Sequence, residues 1–335
     1  MERQAKYQKI EELRRGFPHC TAASLGQIIK ACSSLRIPPS AMDRNVFKHA
    51  RDFQNKKVQT KFGPLLQFVT ARTERGGELK IPIAHPFALL VTAVEQAKEF
   101  SMFLHALLLE KPSSAENPWH LLLYSDEVTP GNPLATMNKT KFQAIYWSFE
   151  EFEQHVLSHE EGWFTVCTEF STAVNSLNAG MSQLFGLIIK VFLSPDSHNL
   201  TTTGILLEFP NGYSTRLFAV LGGFLQDGGA HKSTWHCRGD GSSASCLKCA
   251  NYFKTDSKHG ELVSYVLKFD ELVPATSKSV RTKARYVEQH ARIMNKSKFD
   301  ELQQAVGVTY HPGSLLLDRS ISNKRRKHIN ASKQI

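Results

Sequence analysis

Two aspartates stand where acids do metal chemistry: Asp126, inside "HLLLYSDEVTPGNPL" (His120 to Leu134), and Asp227, directly after "AVLGGFLQ". Each follows an apolar run and precedes a turn. A carboxylate carried on a strand end is a hard oxygen ligand on a rigid support, which Mg²⁺ or Mn²⁺ requires. Ions held by shared acids activate a water or a 3′-hydroxyl and stabilise the leaving oxygen of an in-line displacement. Acids at strand ends also serve simply to turn a chain into water, so neither residue decides the matter alone. Glu127 is the weaker neighbour, because strand alternation points it away from Asp126.

A second set of ligand-type residues lies in "WHCRGDGSSASCLKCANYF", where Cys246 and Cys249 form a Cys-x-x-Cys knuckle downstream of Cys237. Zn²⁺ takes four tetrahedral thiolate or imidazole ligands. The three cysteines supply three, and His236, His231 or His259 the fourth. The alternative is a loop with three reduced cysteines. A redox Cys-x-x-Cys is disfavoured because no thioredoxin-like pattern surrounds it.

These residues need elements to position them. The first 110 residues read as helical, with amphipathic segments at 7–17, 22–35 and 40–57, the last capped by Ser40. "ERGGELKIPIAHP" reads as a loop, and Pro86 to Leu109 as one helix with Pro at its first turn. After "KPSSAENP" the texture changes. Trp119 to Tyr124, Lys141 to Phe149 and Gly162 to Phe170 are strand-like, and Thr172 to Leu193 is a long helix. Asn211-Gly212 marks a tight hairpin turn, and the strand beyond it ends at Asp227. Strand, strand, strand, helix, acid-bearing strand is the order of a ribonuclease-H-like domain, whose mixed sheet sets its first strand beside its fourth. Acids far apart in sequence then share one site. The aromatics of "IYWSFEEF" read as core at strand spacing, and lone histidines such as His85, His105 and His155 as structural or solvated.

Charge is distributed unevenly. Residues 1–80 hold 16 Lys+Arg against 7 Asp+Glu, residues 81–274 hold 12 against 20, and residues 275–335 hold 13 against 4. An acidic centre suits divalent cations and basic flanks suit phosphate backbones, though solvated helix faces give the same balance. "NKRRK" (Asn323 to Lys327) is a candidate nuclear-import or nucleic-acid contact. No apolar run reaches membrane length and the start lacks a signal-peptide core. Six cysteines in 335 residues do not make a secreted disulfide framework, which points to a reducing, intracellular setting.

"LLLYSDEVTPGNPL", "GLIIKVFL", "GILLEFPNGYSTRLFAVLGGFLQDGGAHKS" and "SCLKC" together resemble the catalytic core of KDZ/Plavaka-type transposases. The resemblance covers roughly residues 115–255, with a looser similarity at the helical start and in "GVTYHPGSLLLDRS". It implies an Asp-Asp-Glu transposase mechanism with Asp126 and Asp227 as the first two acids. It also implies that Cys237, Cys246 and Cys249 belong to an inserted zinc-binding element. The third acid of that family sits on a helix after the insertion. Here Asp270, Glu271 and Asp318 are available, but none has such a context, which suggests a truncated or decayed copy.

The expected α/β architecture is a helical N-terminal region over 1–112 and a ribonuclease-H-like mixed sheet over 115–275. The sheet region includes a hairpin at 204–221 and a cysteine-rich zinc-binding insertion at 228–255. A basic helical segment over 276–320 and a disordered basic tail over 321–335 follow. The expected function is that of a nuclear, transposase-derived DNA-binding protein using Mg²⁺ or Mn²⁺ at Asp126 and Asp227, with structural Zn²⁺ on Cys237, Cys246, Cys249 and His236. DNA is the expected partner, with no membrane, and self-association is left open. Two alternatives are a non-catalytic zinc-containing nucleic-acid-binding module and a protein-interaction scaffold whose basic ends meet acidic partners.

Overall fold

The computed structural model describes residues 59–129, 141–193, 198–239 and 261–318, with Ser242, Cys249 and a strand at Phe253–Lys258. The helices expected at 7–17, 22–35 and 40–57, together with Cys246, His259 and the tail 321–335, lie outside the described residues.

The described part of the N-terminal region corrects the expectation that the first 110 residues are helical throughout. Two short strands, β1 (Gln59–Thr60) and β2 (Gly63–Pro64), lead into a hairpin of β3 (Leu66–Arg72) and β4 (Glu78–Ala84). The stretch read as a loop therefore contains a strand. Glu78 and Lys80 alternate with the buried Ile81 and Ile83 side of β4, and Gly76 turns the hairpin at φ 81°. The helix expected from Pro86 to Leu109 is two helices, α1 (Pro86–Gln96) and α2 (Lys98–Glu110), divided at the extended Ala97. Pro86 does sit in the first turn, and the ring of His85 accepts a hydrogen bond from the Ala88 N–H at 3.5 Å.

The three expected strands follow as β5 (Trp119–Val128), β6 (Phe142–Phe149) and, after the short α3 (Glu153–Leu157), β7 (Phe164–Phe170). Next come α4 (Ser171–Asn175) and α5 (Gly180–Leu193), replacing one long helix. The break has a tertiary cause. Thr73 bridges Leu177, the Glu74 N–H donates to Ser176 O at 3.0 Å, and the Asn178 N–H donates to Arg72 O at 2.9 Å. The tip of the β3–β4 hairpin thus claims the backbone groups a continuous helix would use. Strands β8 (Ile205–Glu208) and β9 (Ser214–Leu217) form a hairpin with Gly212 at φ 84°. Its second limb stops at Leu217 rather than Leu221. Phe218 leaves the ladder, accepting from the Trp119 N–H at 2.9 Å and donating its own N–H to Ser113 Oγ at 2.8 Å. Strand β10 (Ala219–Gln226) then joins the main sheet, followed by α6 (Gly228–Trp235), β11 (Phe253–Lys258), β12 (Glu261–Val266), α7 (Ser277–His290) and α8 (Lys296–Val306). The last two helices fall where a basic helical segment was expected.

The main sheet is mixed and six-stranded, in the order β10-β5-β6-β7-β4-β3. β10 runs parallel to β5, and every other pair is antiparallel. Between β4 and β7 a single residue pair, Ile83 to Cys167, carries the register; Pro82 beside it has no N–H to give a ladder. Helix α5 lays Leu184, Phe185, Ile188, Ile189 and Phe192 on the face carrying Leu121, Leu123, Ile145 and Trp147, all buried. Phe192 meets Trp147 edge-on at 5.4 Å. Each such side chain contributes about 1.5–3 kcal/mol by leaving water, so this face holds the sheet and leaves the opposite face free to carry polar groups. No helix among the described residues is long and apolar enough to cross a membrane.

Candidate functional site

β5 does not stop at Tyr124. It continues through Asp126 and Glu127 to Val128, so Asp126 is held by the ladder to β6 rather than by a turn. On one side Asp126 faces Ala144 of β6. On the other, the last registered pair of β5 with β10 is Ser125 with Gln226, joined also by Gln226 Nε2 donating to Ser125 Oγ at 3.0 Å. Asp227 follows the last residue of β10, and Asp126 is the next residue of β5. Parallel strands lie about 4.8 Å apart, so the two acids occupy neighbouring backbone positions on the same rim of the sheet.

Alternation sorts the neighbourhood into two faces. Tyr124 and Asp126 share one, and the Tyr124 hydroxyl donates to Asp126 Oδ2 at 3.2 Å. Tyr124 stacks on its cross-strand partner Tyr146 with centroids 5.6 Å apart. Burial, and then the charge of Asp126, push both phenols above their ordinary pKa, and the charge of Asp227 reaches Tyr124 as well. Glu127 points to the other face. There Lys141 Nζ donates to it at 2.8 Å, Gln143 Nε2 at 2.9 Å and Ser171 Oγ at 3.0 Å. The bond from Lys141 is the main cause that holds its carboxyl below the ordinary range, against burial and the charge of Asp227. With three donors on its two oxygens, Glu127 ties β5 to the start of α4. It is a structural carboxylate.

Asp227 has a structural task too. It is the N-cap of α6, and its Oδ1 accepts the Ala230 N–H at 2.5 Å. Its other oxygen has no such bond in the cap, which leaves it available to a cation. The pair Asp126 and Asp227 thus offers hard oxygen ligands on adjacent strand ends, the donor type Mg²⁺ or Mn²⁺ prefers. Among the described residues, no group of three or more His, Cys, Asp or Glu side chains is placed to hold a metal ion. Asp270 and Glu271 belong to a short 3₁₀ turn, and Asp318 pairs with Lys190 at 2.7 Å. None of the three joins the aspartate pair in such a group.

The expected zinc ligands are placed separately. Cys237 is buried, and its backbone bridges Val308, whereas Cys249 bridges Pro274. His236 closes α6 in the left-handed region (φ 50°, ψ 42°) and lies flat on His311, with ring centroids 5.2 Å apart. Burial, and then His311, lower the His236 pKa to about 4. Its Nδ1 is buried with no hydrogen-bond partner among the described residues. Among the described residues, Cys237, His236 and Cys249 do not form a three-ligand group, and Cys246 and His259 lie outside them. His231 stacks loosely against Trp235 instead.

Sequence reasoning did not single out Tyr124, Tyr146, Lys141, Gln143 or Ser171. For Tyr124 the signal was present, since a residue two before Asp126 on a strand shares its face. Trp147, Phe149 and Phe152 are core as expected, but Tyr146 of the same stretch is only half-buried and stands beside Asp126. In comparisons with known proteins, no family model matches the chain and no curated protein matches it.

Proposed function

We propose that the protein is a transposase-derived DNA-binding protein of ribonuclease-H-like architecture. Asp126 and Asp227 would hold a divalent cation in its ancestral strand-cleavage and strand-transfer site. One observation carries this: β10 pairs parallel with β5, and the last registered pair, Ser125 with Gln226, directly precedes the two acids, one in each chain segment. The sheet order β10-β5-β6-β7, with α5 between β7 and β10 in the chain, supports the same reading. A bound Mg²⁺ or Mn²⁺ supplies Lewis-acid stabilisation of charge on phosphate oxygens. The chain's own part is to present Asp126, steadied by the Tyr124 hydroxyl, and Asp227, steadied by the first turn of α6. The basic flanks would carry the DNA backbone, and the tail "NKRRK" would direct the protein to the nucleus.

A second reading has its own support. Asp227 already has a capping function and no third acid joins the pair among the described residues, both of which favour a non-catalytic nucleic-acid-binding descendant. Mn²⁺-dependent nicking of plasmid DNA by the parent protein, Asp126→Ala and Asp227→Ala separates them. Nicking lost in both variants establishes the two-acid site. Salt-sensitive DNA binding without nicking by the parent leaves the binding module. Absence of both refutes the proposal.

A further inference from the structure

A cleft of about 240 Å³ opens where β3, α5 and the stretch Gly313–Asp318 meet, and its polar lining includes Thr70, Arg72, Gln183, Lys190 and Asp318. Two cations enter it from different elements. Arg72 is the last residue of β3, exposed, and Glu78, its partner in the β3–β4 register, makes no ion pair with it. Lys190, on the solvent side of α5, is paired with the Asp318 carboxylate at 2.7 Å. An ammonium that already takes one oxyanion and an arginine without an ion pair among the described residues line the same cleft, a combination that suits a tetrahedral anion. The strap that carries Asp318 is firmly seated. The Leu315 N–H donates to the buried Ser182 Oγ at 2.8 Å, Leu315 itself is core, and a Cβ at Gly313 would lie 2.9 Å from Ala179 Cβ.

The location matters as much as the chemistry. The strand registers place Arg72 on the same rim of the sheet as Asp126 and Asp227. It is four strand spacings from β5, about 19 Å across the sheet, and four residues beyond the level of Asp126, about 13 Å along the strands. The two offsets together make about 23 Å, the reach of about seven base pairs of duplex. We propose that this cleft receives a backbone phosphate of the DNA and that the Asp318 carboxylate holds its place on Lys190 until DNA displaces it. The inference rests on the DNA-binding reading above and adds a specific contact to it.

The test is the salt dependence of binding to a fluorescein-labelled duplex of mixed sequence, read by anisotropy between about 50 and 200 mM salt. Arg72→Ala with Lys190→Ala should lower the slope of log affinity against log salt by about 0.9, the value for one phosphate no longer neutralised, and Arg72→Ala alone by a large part of that. Asp318→Asn, which frees Lys190 while keeping the shape of the strap, should raise affinity several-fold. Glu161→Gln removes an equally negative but remote exposed charge and should change little. Circular dichroism on each variant guards against loss of fold. A parent protein that shows no salt-dependent DNA binding refutes the DNA reading itself. Binding with an unaltered slope in Arg72→Ala, or an Asp318→Asn gain that Glu161→Gln matches, overturns the cleft alone.

Discussion

Asp227 carries two tasks that one pair of substitutions can pull apart. As N-cap of α6, an eight-residue helix, it accepts the Ala230 N–H. Asp227→Ala leaves that donor to water and should cost about 1 kcal/mol. For a chain of this size that is roughly 1–2 °C in melting temperature. Asp227→Asn retains a capping oxygen of nearly equal rank, so its loss should be a few tenths of a kcal/mol at most. The carboxylate charge disappears in both. If the acid is also a cation ligand, Mn²⁺ at about 100 times its dissociation constant should stabilise the parent by about 2.7 kcal/mol. Neither variant should then show more than a small part of that gain. The assay is thermal unfolding followed by circular dichroism, with chelator and across a Mn²⁺ titration. An Asp227→Asn protein that melts as low as Asp227→Ala without metal refutes the capping argument. One that keeps the full Mn²⁺ gain refutes the ligand assignment.

Three further outcomes are expected. His236 sits near pKa 4 in the fold against 6.5 in the unfolded chain, so the neutral ring is favoured and its contribution is complete above pH 6.5. That contribution should fall away as pH drops toward 4, by about 1–2 kcal/mol after allowing for partial exposure. His236→Asn, which suits the left-handed backbone, should flatten the urea-unfolding profile over that range. Glu127→Ala removes the acceptor of three donors and should cost about 1–2 kcal/mol in denaturant unfolding while leaving any Mn²⁺ response intact. Gly222→Ala should cost about 1–3 kcal/mol by the same measure, because its Cβ would come 2.7 Å from His120 Cβ at the register shift of β10.

What was legible in the sequence followed from local pattern. The apolar run into Asp126, the Asn211-Gly212 turn and the β-rich stretches at β6 and β7 each announce themselves within a few residues. The order of those elements was enough to set the strand before Asp227 beside the strand that carries Asp126. What failed depended on distant partners. Nothing in "STAVNSLNAGMSQ" shows that the hairpin tip at Thr73–Glu74 will take the backbone of Ser176–Asn178 and split the helix. The β4 strand hid behind Pro82 and its charged alternate residues, which read as a loop until β3 pairs with them. The task of Glu127 was invisible for the same reason, since Lys141 and Ser171 come from elsewhere in the chain. The stacking of His236 on His311 was equally hidden, because it depends on the αL turn at the end of α6 and on a residue 75 positions away.

The parallel ladder between β5 and β10 also has a consequence in time. Ser125 and Gln226 are 101 positions apart, the widest separation among the contacts that build the acid pair. Pairing over such a span is slow to form, because the loop must close before the ladder repays it. β10 is an edge strand, and β5 through β3 can pair without it. A chain that has completed those five strands already has its aromatic core around Trp147 but holds Asp126 alone. The two carboxylates therefore come together only when the outermost strand docks, and cation binding at the pair would report on the docking of β10 rather than on the fold in general.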